Sequence, residues 1–315
     1  MTNGVSFDLT VEDISKSFGT PLGPLVQKVM KGKNLRLRWP SGEERDEILL
    51  KVLQRIMDDQ QVVGADYRTE VWEKGWEENL RSFQKKPSIE ALVPKFVRAG
   101  LPIRWQGKFC FTEDANFEET YVDIMRAWVF ETFKGEGVDE IHEFGAGTGW
   151  NLLRGWQLLD GEPVRKFVGS DFVMSSVELM EQVAQEYNAP LESRFFDMKN
   201  PDPSYPFFSP NTSGVLTFGS LEQLAGEVMP MFKFLIEKKP ALVISIEPAS
   251  ENYDVGKLED FTAFWFQTRR GYSSGMVETL RNLETKGLIR IEKIKRLGFG
   301  SMMMEGYNLF VWRPI

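Results

Sequence analysis

The spacing of apolar residues changes character near residue 135. Upstream, Ile48, Leu49, Val52, Leu53, Ile56 and Met57 recur at the three-and-four interval of a helix with one buried face. Ser41, with Glu44 three residues on, reads as the capping box that opens it. Tyr67, Val71, Trp72, Trp76, Leu80 and Phe83 predict a second helix, and Phe117, Tyr121, Ile124, Met125, Trp128 and Phe133 a third. Pro87, Pro94 and Pro102 cut the chain between them into short pieces. The stretch 101–111 predicts a small hairpin that turns at Gln106-Gly107.

After Gly135-Glu136-Gly137 short apolar runs alternate with helical patterns. Strands are predicted at 138–144, 164–169, 191–196, 214–218 and 241–246. Between them run helices through Leu152, Leu153, Trp156 and Leu159, over 175–187, and through Leu221, Met229, Phe232 and Leu235. This alternation implies βαβ units and a parallel sheet, hence an α/β fold. The last two strands, 288–296 and 307–312, are joined by a glycine-bearing link with no helical pattern and should pair antiparallel. Two regions follow: a mainly helical one over 1–134 and an α/β domain over 135–315.

Composition narrows the chemistry. With 42% hydrophobic and 27% charged residues the chain can bury a sizeable core. A net charge of −8 argues against a nucleic-acid partner, and the basic run 28–38 reads as a solvated face. No apolar run reaches the roughly 18 residues of a membrane span. The opening residues lack a basic-then-apolar leader, so the expected location is cytoplasmic. A single cysteine, Cys110, excludes an internal disulfide and a cysteine-rich metal site. A single histidine, His142, in a predicted buried strand, excludes a multi-histidine metal centre and disfavours a Ser-His-Asp hydrolase. No metal is expected. An aromatic patch in the first region could make a homodimer.

The sharpest local signal is Glu143-x-Gly145-x-Gly147-x-Gly149, where a strand runs into alternating glycines and then a helix. Glycine lets backbone approach a ligand closely, and free N–H groups at a helix start favour polar or anionic groups. The spacing is neither a phosphate loop nor the dinucleotide pattern. It resembles motif I of the class I S-adenosylmethionine (SAM)-dependent methyltransferases, over roughly the last 180 residues. The resemblance implies a Rossmann-like, mostly parallel sheet of seven strands with an antiparallel last strand, covered by the helical N-terminal lid. It implies SAM as cofactor, with Glu143 supporting the methionine amino group, Gly145, Gly147 and Gly149 forming the loop, and Asn151 touching the carboxylate.

Two later strand ends follow in register. Asp171, after Val168-Gly169-Ser170, can accept both ribose hydroxyls, and otherwise caps a helix. Asp197 and Met198 resemble the segment that meets adenine, Asp197 otherwise capping the turn before Asn200. Phe218, ending the fourth strand, is placed beside the cofactor. Analogy with the family puts the acceptor at the fourth and fifth strand ends, making Glu222 and Gln223 substrate-pocket candidates. Glu247 and Tyr253 are the catalytic candidates: Glu247 follows an apolar strand and can be desolvated, or else pairs with Arg269 or Arg270 and shapes the loop. Aromatics of both regions, Trp72, Trp76, Trp105, Phe109, Tyr121 and Phe261 to Phe266, either roof the cofactor or fill the core. The implied function is methyl transfer to oxygen or nitrogen of a small molecule. An alternative keeps SAM but closes its own amino group onto its side chain, giving azetidine-2-carboxylate and methylthioadenosine; a third reading is SAM binding without turnover.

Overall fold

A computed structural model describes residues 4–61, 67–93, 101–160, 164–207, 210–272 and 274–315, without the side chains of 67, 68 and 210. Pro94 and the Tyr67 side chain, both used in the sequence reading, lie outside this set.

The first region holds β1 (Ser6–Asp8), α1 (Val11–Phe18), α2 (Pro24–Met30), β2 (Arg36–Arg38), α3 (Gly42–Asp58), α4 (Tyr67–Lys85), β3 (Ile103–Trp105), β4 (Lys108–Thr112) and α5 (Phe117–Gly135). Ser41 and Glu44 form the expected reciprocal cap on α3, at 3.1 and 2.7 Å. The hairpin β3–β4 turns at Gln106 and Gly107, both at positive φ (49° and 77°), as a two-residue hairpin turn demands. Helix α5 is buried along most of its length, because Phe117, Tyr121, Ile124, Met125, Trp128 and Phe133 all face neighbours.

The second region runs β5 (Glu140–Phe144), α6 (Trp150–Leu159), β6 (Lys166–Asp171), α7 (Met174–Tyr187), β7 (Leu191–Phe195), β8 (Ser213–Phe218), α8 (Met229–Lys238), β9 (Leu242–Glu247), α9 (Leu258–Arg270), α10 (Met276–Thr285), β10 (Ile289–Ser301) and β11 (Tyr307–Pro314). Strands β7, β6, β5, β8 and β9 lie side by side and parallel. Strand β11 inserts between β9 and β10, antiparallel to both.

The expectation of seven strands is corrected: one sheet of 11 strands runs β1-β2-β4-β3-β10-β11-β9-β8-β5-β6-β7. The four extra strands come from the first region, which was expected to be mainly helical. Of these, β3 and β4 are the expected hairpin, whereas β1 and β2 have three residues each, too short to show a period of two in sequence. Strand β3 joins the sheet through β10. The basic run 28–38 is also more than a solvated face, since it contains β2, whose Leu37 is fully buried.

Alternate residues of β5 enter different cores: Ile141 packs in the layer with α5, α6 and α7, Phe144 in the layer with α8 and α10. A third, smaller core joins α3 to α9 and β4. Because β5 to β9 are parallel, their carboxyl ends share one edge, where open α/β sheets bind ligands.

Candidate functional site

Five strand ends meet at that edge, and the glycine loop lies at its centre. Gly145 N–H and Ala146 N–H donate to Ser170 O (2.8 and 3.0 Å), which ties the loop to the end of β6. Gly147 N–H donates to Asp171 Oδ2 at 2.9 Å. The Gly147 backbone is left-handed (φ 56°), and a Cβ there would fall 2.8 Å from the Trp76 ring of α4. Only glycine satisfies both conditions. Gly149 caps the start of α6. Helix α4 therefore lies over the loop, and Trp72 stacks on Trp76 at 5.8 Å. Thr148 Oγ1 donates to Leu92 O at 2.9 Å, a second tie to the first region.

Glu143 is buried, with 1% exposure. Its Oε1 accepts from Asn151 Nδ2 at 2.7 Å. Its Oε2 is buried and has no hydrogen-bond partner among the described residues. Burial pushes the carboxyl up to about 8, against the opposing pull of the Asn151 hydrogen bond and Arg126. Asn151 Oδ1 in turn accepts from Arg126 Nε of α5 at 2.7 Å. Arg126 Nη1 meets Asp123 at 2.9 Å, and Arg154 of α6 holds the other Asp123 oxygen at 2.9–3.0 Å.

Asp171 is buried, with one oxygen on Gly147 N–H and the other on Val173 N–H at 3.0 Å. Burial raises its carboxyl above the usual range. Ser176 and the Phe172 backbone also hold the carboxylate in its charged form, against the effect of burial. Met198 Cε sits 3.4 Å from where a side chain on Gly145 would begin, so the third strand end reaches the loop. Asp197 caps its own turn, accepting from Lys199 N–H and Asn200 Nδ2 at 2.8 Å each. Phe172 and Met174 follow Asp171 and stay exposed, beside the exposed Phe195 that pairs with Asp171.

The ends of β8 and β9 meet beside the loop. Phe218 lies against Tyr307 (ring centroids 5.7 Å), which stacks on Phe299 at 5.6 Å. Glu222 and Gln223 are partly exposed and hydrogen-bonded to each other at 2.8 Å. Glu247 is 1% exposed, and its carboxylate accepts Ser220 N–H and Leu221 N–H at 3.2 Å and Glu222 N–H at 3.4 Å. Burial pushes it up to about 7 against those bonds. Both its oxygens thus accept from the turn after β8. It does not pair with Arg269 or Arg270, which reach Met57 O (3.1 Å) and Asp59 (2.8 Å) instead.

Tyr253 is likewise engaged elsewhere. Its hydroxyl donates to Glu305 O (3.1 Å) and accepts from Gln267 Nε2 (2.8 Å), inside a buried cluster. There Arg296 bridges Asp260 (2.7 Å) and Glu305 (2.5 Å), and Glu305 accepts Gly107 N–H at 2.6 Å. The cluster locks the β3–β4 hairpin to the β10 edge. His142 faces the other core, with Nδ1 2.8 Å from Tyr205 Oη and Nε2 3.0 Å from Glu140.

Sequence reasoning missed Arg126. Its signal is a lone charge in the otherwise apolar run 124–130. It also missed Phe172. The roof aromatics divide: Trp105, Phe109 and Tyr121 are core, while Trp76 lies against the loop. Among the described residues no group of His, Cys, Asp or Glu could hold a metal, and no helix is long and apolar enough to cross a membrane.

No family model matches the chain, and no curated protein matches it. Solved structures of similar fold include a SAM dependent methyltransferase from Aquifex aeolicus (16% identity, TM-score 0.39, 59% of this chain and 88% of that one). Another is magnesium protoporphyrin IX methyltransferase (ChlM) from Synechocystis PCC 6803 with bound SAM (14%, 0.42, 62% and 79%). A third is the cyclase SpnF (12%, 0.49, 77% and 95%).

Proposed function

We propose that this chain binds SAM across the ends of β5, β6 and β7 and is a transferase that delivers the methyl group to oxygen or nitrogen of a small molecule. The observation that carries this reading is Glu143: a buried carboxylate at the head of a glycine loop with one oxygen left open. An unpaired buried acceptor is costly, and a ligand ammonium would satisfy it. The other groups fit in order. Asp171 stands at the end of β6 to meet the ribose hydroxyls, Met198 reaches the loop, and Phe172 offers an exposed face for a planar base. Asp197 meets adenine from its capped turn.

When bound, SAM supplies an electrophilic methyl carbon on a sulfonium. The protein's work is then to position, exclude water and hold charge. Trp76 shields the loop, and Phe218, Tyr307 and Phe299 make an apolar wall beside it. Glu222 and Gln223 are the polar groups for the acceptor. Glu247 contributes by holding the turn that carries them, and Tyr253 by bracing the loop after β9.

One observation favours the cyclising alternative. Glu143, pushed up to about 8, is matched to an α-amino group, which titrates at about 8. Glu143 Oε2 could take the ammonium proton. The freed amine would form its bond to the side-chain carbon as that carbon's bond to sulfur breaks, with methylthioadenosine leaving. Incubating the protein with SAM alone and separating the products by mass spectrometry tests both readings. Methyl transfer predicts intact SAM until an acceptor is added, then adenosylhomocysteine. Methylthioadenosine formed without acceptor overturns methyl transfer in favour of cyclisation, and SAM unchanged under all acceptors tried overturns catalysis.

A further inference from the structure

The amino-acid end of the site has two poles, and only one belongs to the glycine motif. Asn151, expected to touch a ligand carboxylate, has both ends of its amide committed: Nδ2 to Glu143 and Oδ1 to Arg126. It is a coupler between a carboxylate and a guanidinium. Arg126 is 7% exposed, and its guanidinium lies 5.4 Å from the Trp150 ring centroid. Only two of its donors are spent on described side chains, Nε on Asn151 and Nη1 on Asp123.

Asp123 does not neutralise it fully, because Arg154 holds the same carboxylate at 2.9 Å. Two guanidiniums thus share one acid on the α5–α6 side of Glu143. A buried arginine with donors to spare is expensive unless an anion completes it. The open Glu143 Oε2 asks for a cation in the same neighbourhood.

We infer that Glu143 and Arg126, coupled through Asn151, form a clamp for an α-amino acid zwitterion, the carboxylate oxygen taking the ammonium and the guanidinium taking the carboxylate. This rests on the SAM reading and adds a positioning and specificity residue to it. The positive pole comes from α5, in the first region, so ligand binding joins that helix to the glycine loop. Arginine suits the task because its planar fork can hold a carboxylate through two bonds.

The test is calorimetric binding of SAM, adenosylhomocysteine and decarboxylated SAM to the full chain and to Arg126→Gln and Arg126→Lys. Wild type should prefer SAM to the decarboxylated analogue by about tenfold or more, as expected for a charge-assisted pair. Arg126→Gln should lose that preference, weakening SAM about tenfold or more while changing the decarboxylated analogue less than about threefold. Equal losses for both ligands would mean that Arg126 only supports the fold, and the clamp is overturned. An unchanged preference overturns it too. Should Arg126→Gln fail to fold, Arg126→Lys decides by the same comparison, since it keeps the charge and loses the fork: a reduced preference supports the clamp, an unchanged one overturns it. If wild type binds none of the three ligands, the SAM reading itself is wrong and the clamp falls with it. If wild type binds SAM without any preference, only the clamp falls.

Discussion

Glu143 and Glu247 look alike and are wired differently. Each stands at the end of a central parallel strand, each is 1% exposed, and burial raises each carboxyl, to about 8 and about 7. Glu247 meets three backbone N–H groups from the turn after β8. It behaves as the anion that nucleates a turn of converging amides. Glu143 has one amide hydrogen bond and one empty oxygen. Depth and titration alone therefore do not mark a reacting or binding carboxylate. What separates them is whether the fold has already supplied all the partners.

The comparison breaks most easily at Glu143. Glu143→Gln matches the protonated acid in shape and should leave the melting temperature nearly unchanged. It should weaken SAM binding about 10- to 100-fold, the cost of replacing a charged acceptor by a neutral amide. Calorimetry alongside thermal melting checks both halves. Full affinity in Glu143→Gln would show that the open oxygen is not the ligand's.

Glu247→Gln should do the reverse. Gln keeps a carbonyl for Ser220 and Leu221 but turns an NH₂ toward Glu222 N–H, so about 1 kcal/mol of folding stability should go. SAM affinity should stay within about threefold. The pH dependence has a definite sign. A carboxyl whose folded value, about 7, lies above its ordinary 4.5 adds stability below 4.5 and loses it as pH rises to about 7. Glu247→Gln should flatten that part of the denaturation profile. A variant that folds like wild type yet has lost turnover would return Glu247 to the chemistry.

That Glu247 is already engaged is not legible in the sequence, for a physical reason. Both acids close an apolar strand, and the partners that distinguish them are not local. Glu247 is satisfied by a turn 25–27 residues away, after a different strand. The βαβ alternation, the antiparallel last strand and the Gln106-Gly107 hairpin were legible because repeated period or turn chemistry encodes them. Strands β1 and β2 were not, since three residues carry no period. The loop that carries Gly147 could be read from its glycines, whereas Arg126 could not be assigned to it. Its link to Asn151 exists only because α5 packs on α6, and a single charge in an apolar helix reads equally as a solvated residue.

The subtlest separation of the two acids is a proton count. At pH 7 an empty Glu143 with a value of about 8 is mostly protonated. Arg126 and the Asn151 amide already pull it down, while burial and the nearby Asp171 hold it up. An ammonium placed on Oε2 would drop it well below 7, so binding should release most of one proton, about 0.8 once the small uptake by the ligand amine is counted. The ligand's own amine is protonated at that pH, since it titrates at about 8, and in the methyl-transfer reading it stays so. Above about pH 8 the balance reverses: Glu143 is then ionised and the free amine must take up a proton to bind, so affinity should peak near that crossover. Calorimetry at pH 7 in buffers of different ionisation enthalpy measures the count. Glu143→Gln should release none, whereas Glu247→Gln should release as much as wild type, because the wild-type Glu247 carboxyl keeps the same partners with and without ligand. A release carried by Glu247 instead would mean that the ligand rebuilds the turn after β8, and that the open and closed carboxylates exchange roles on binding.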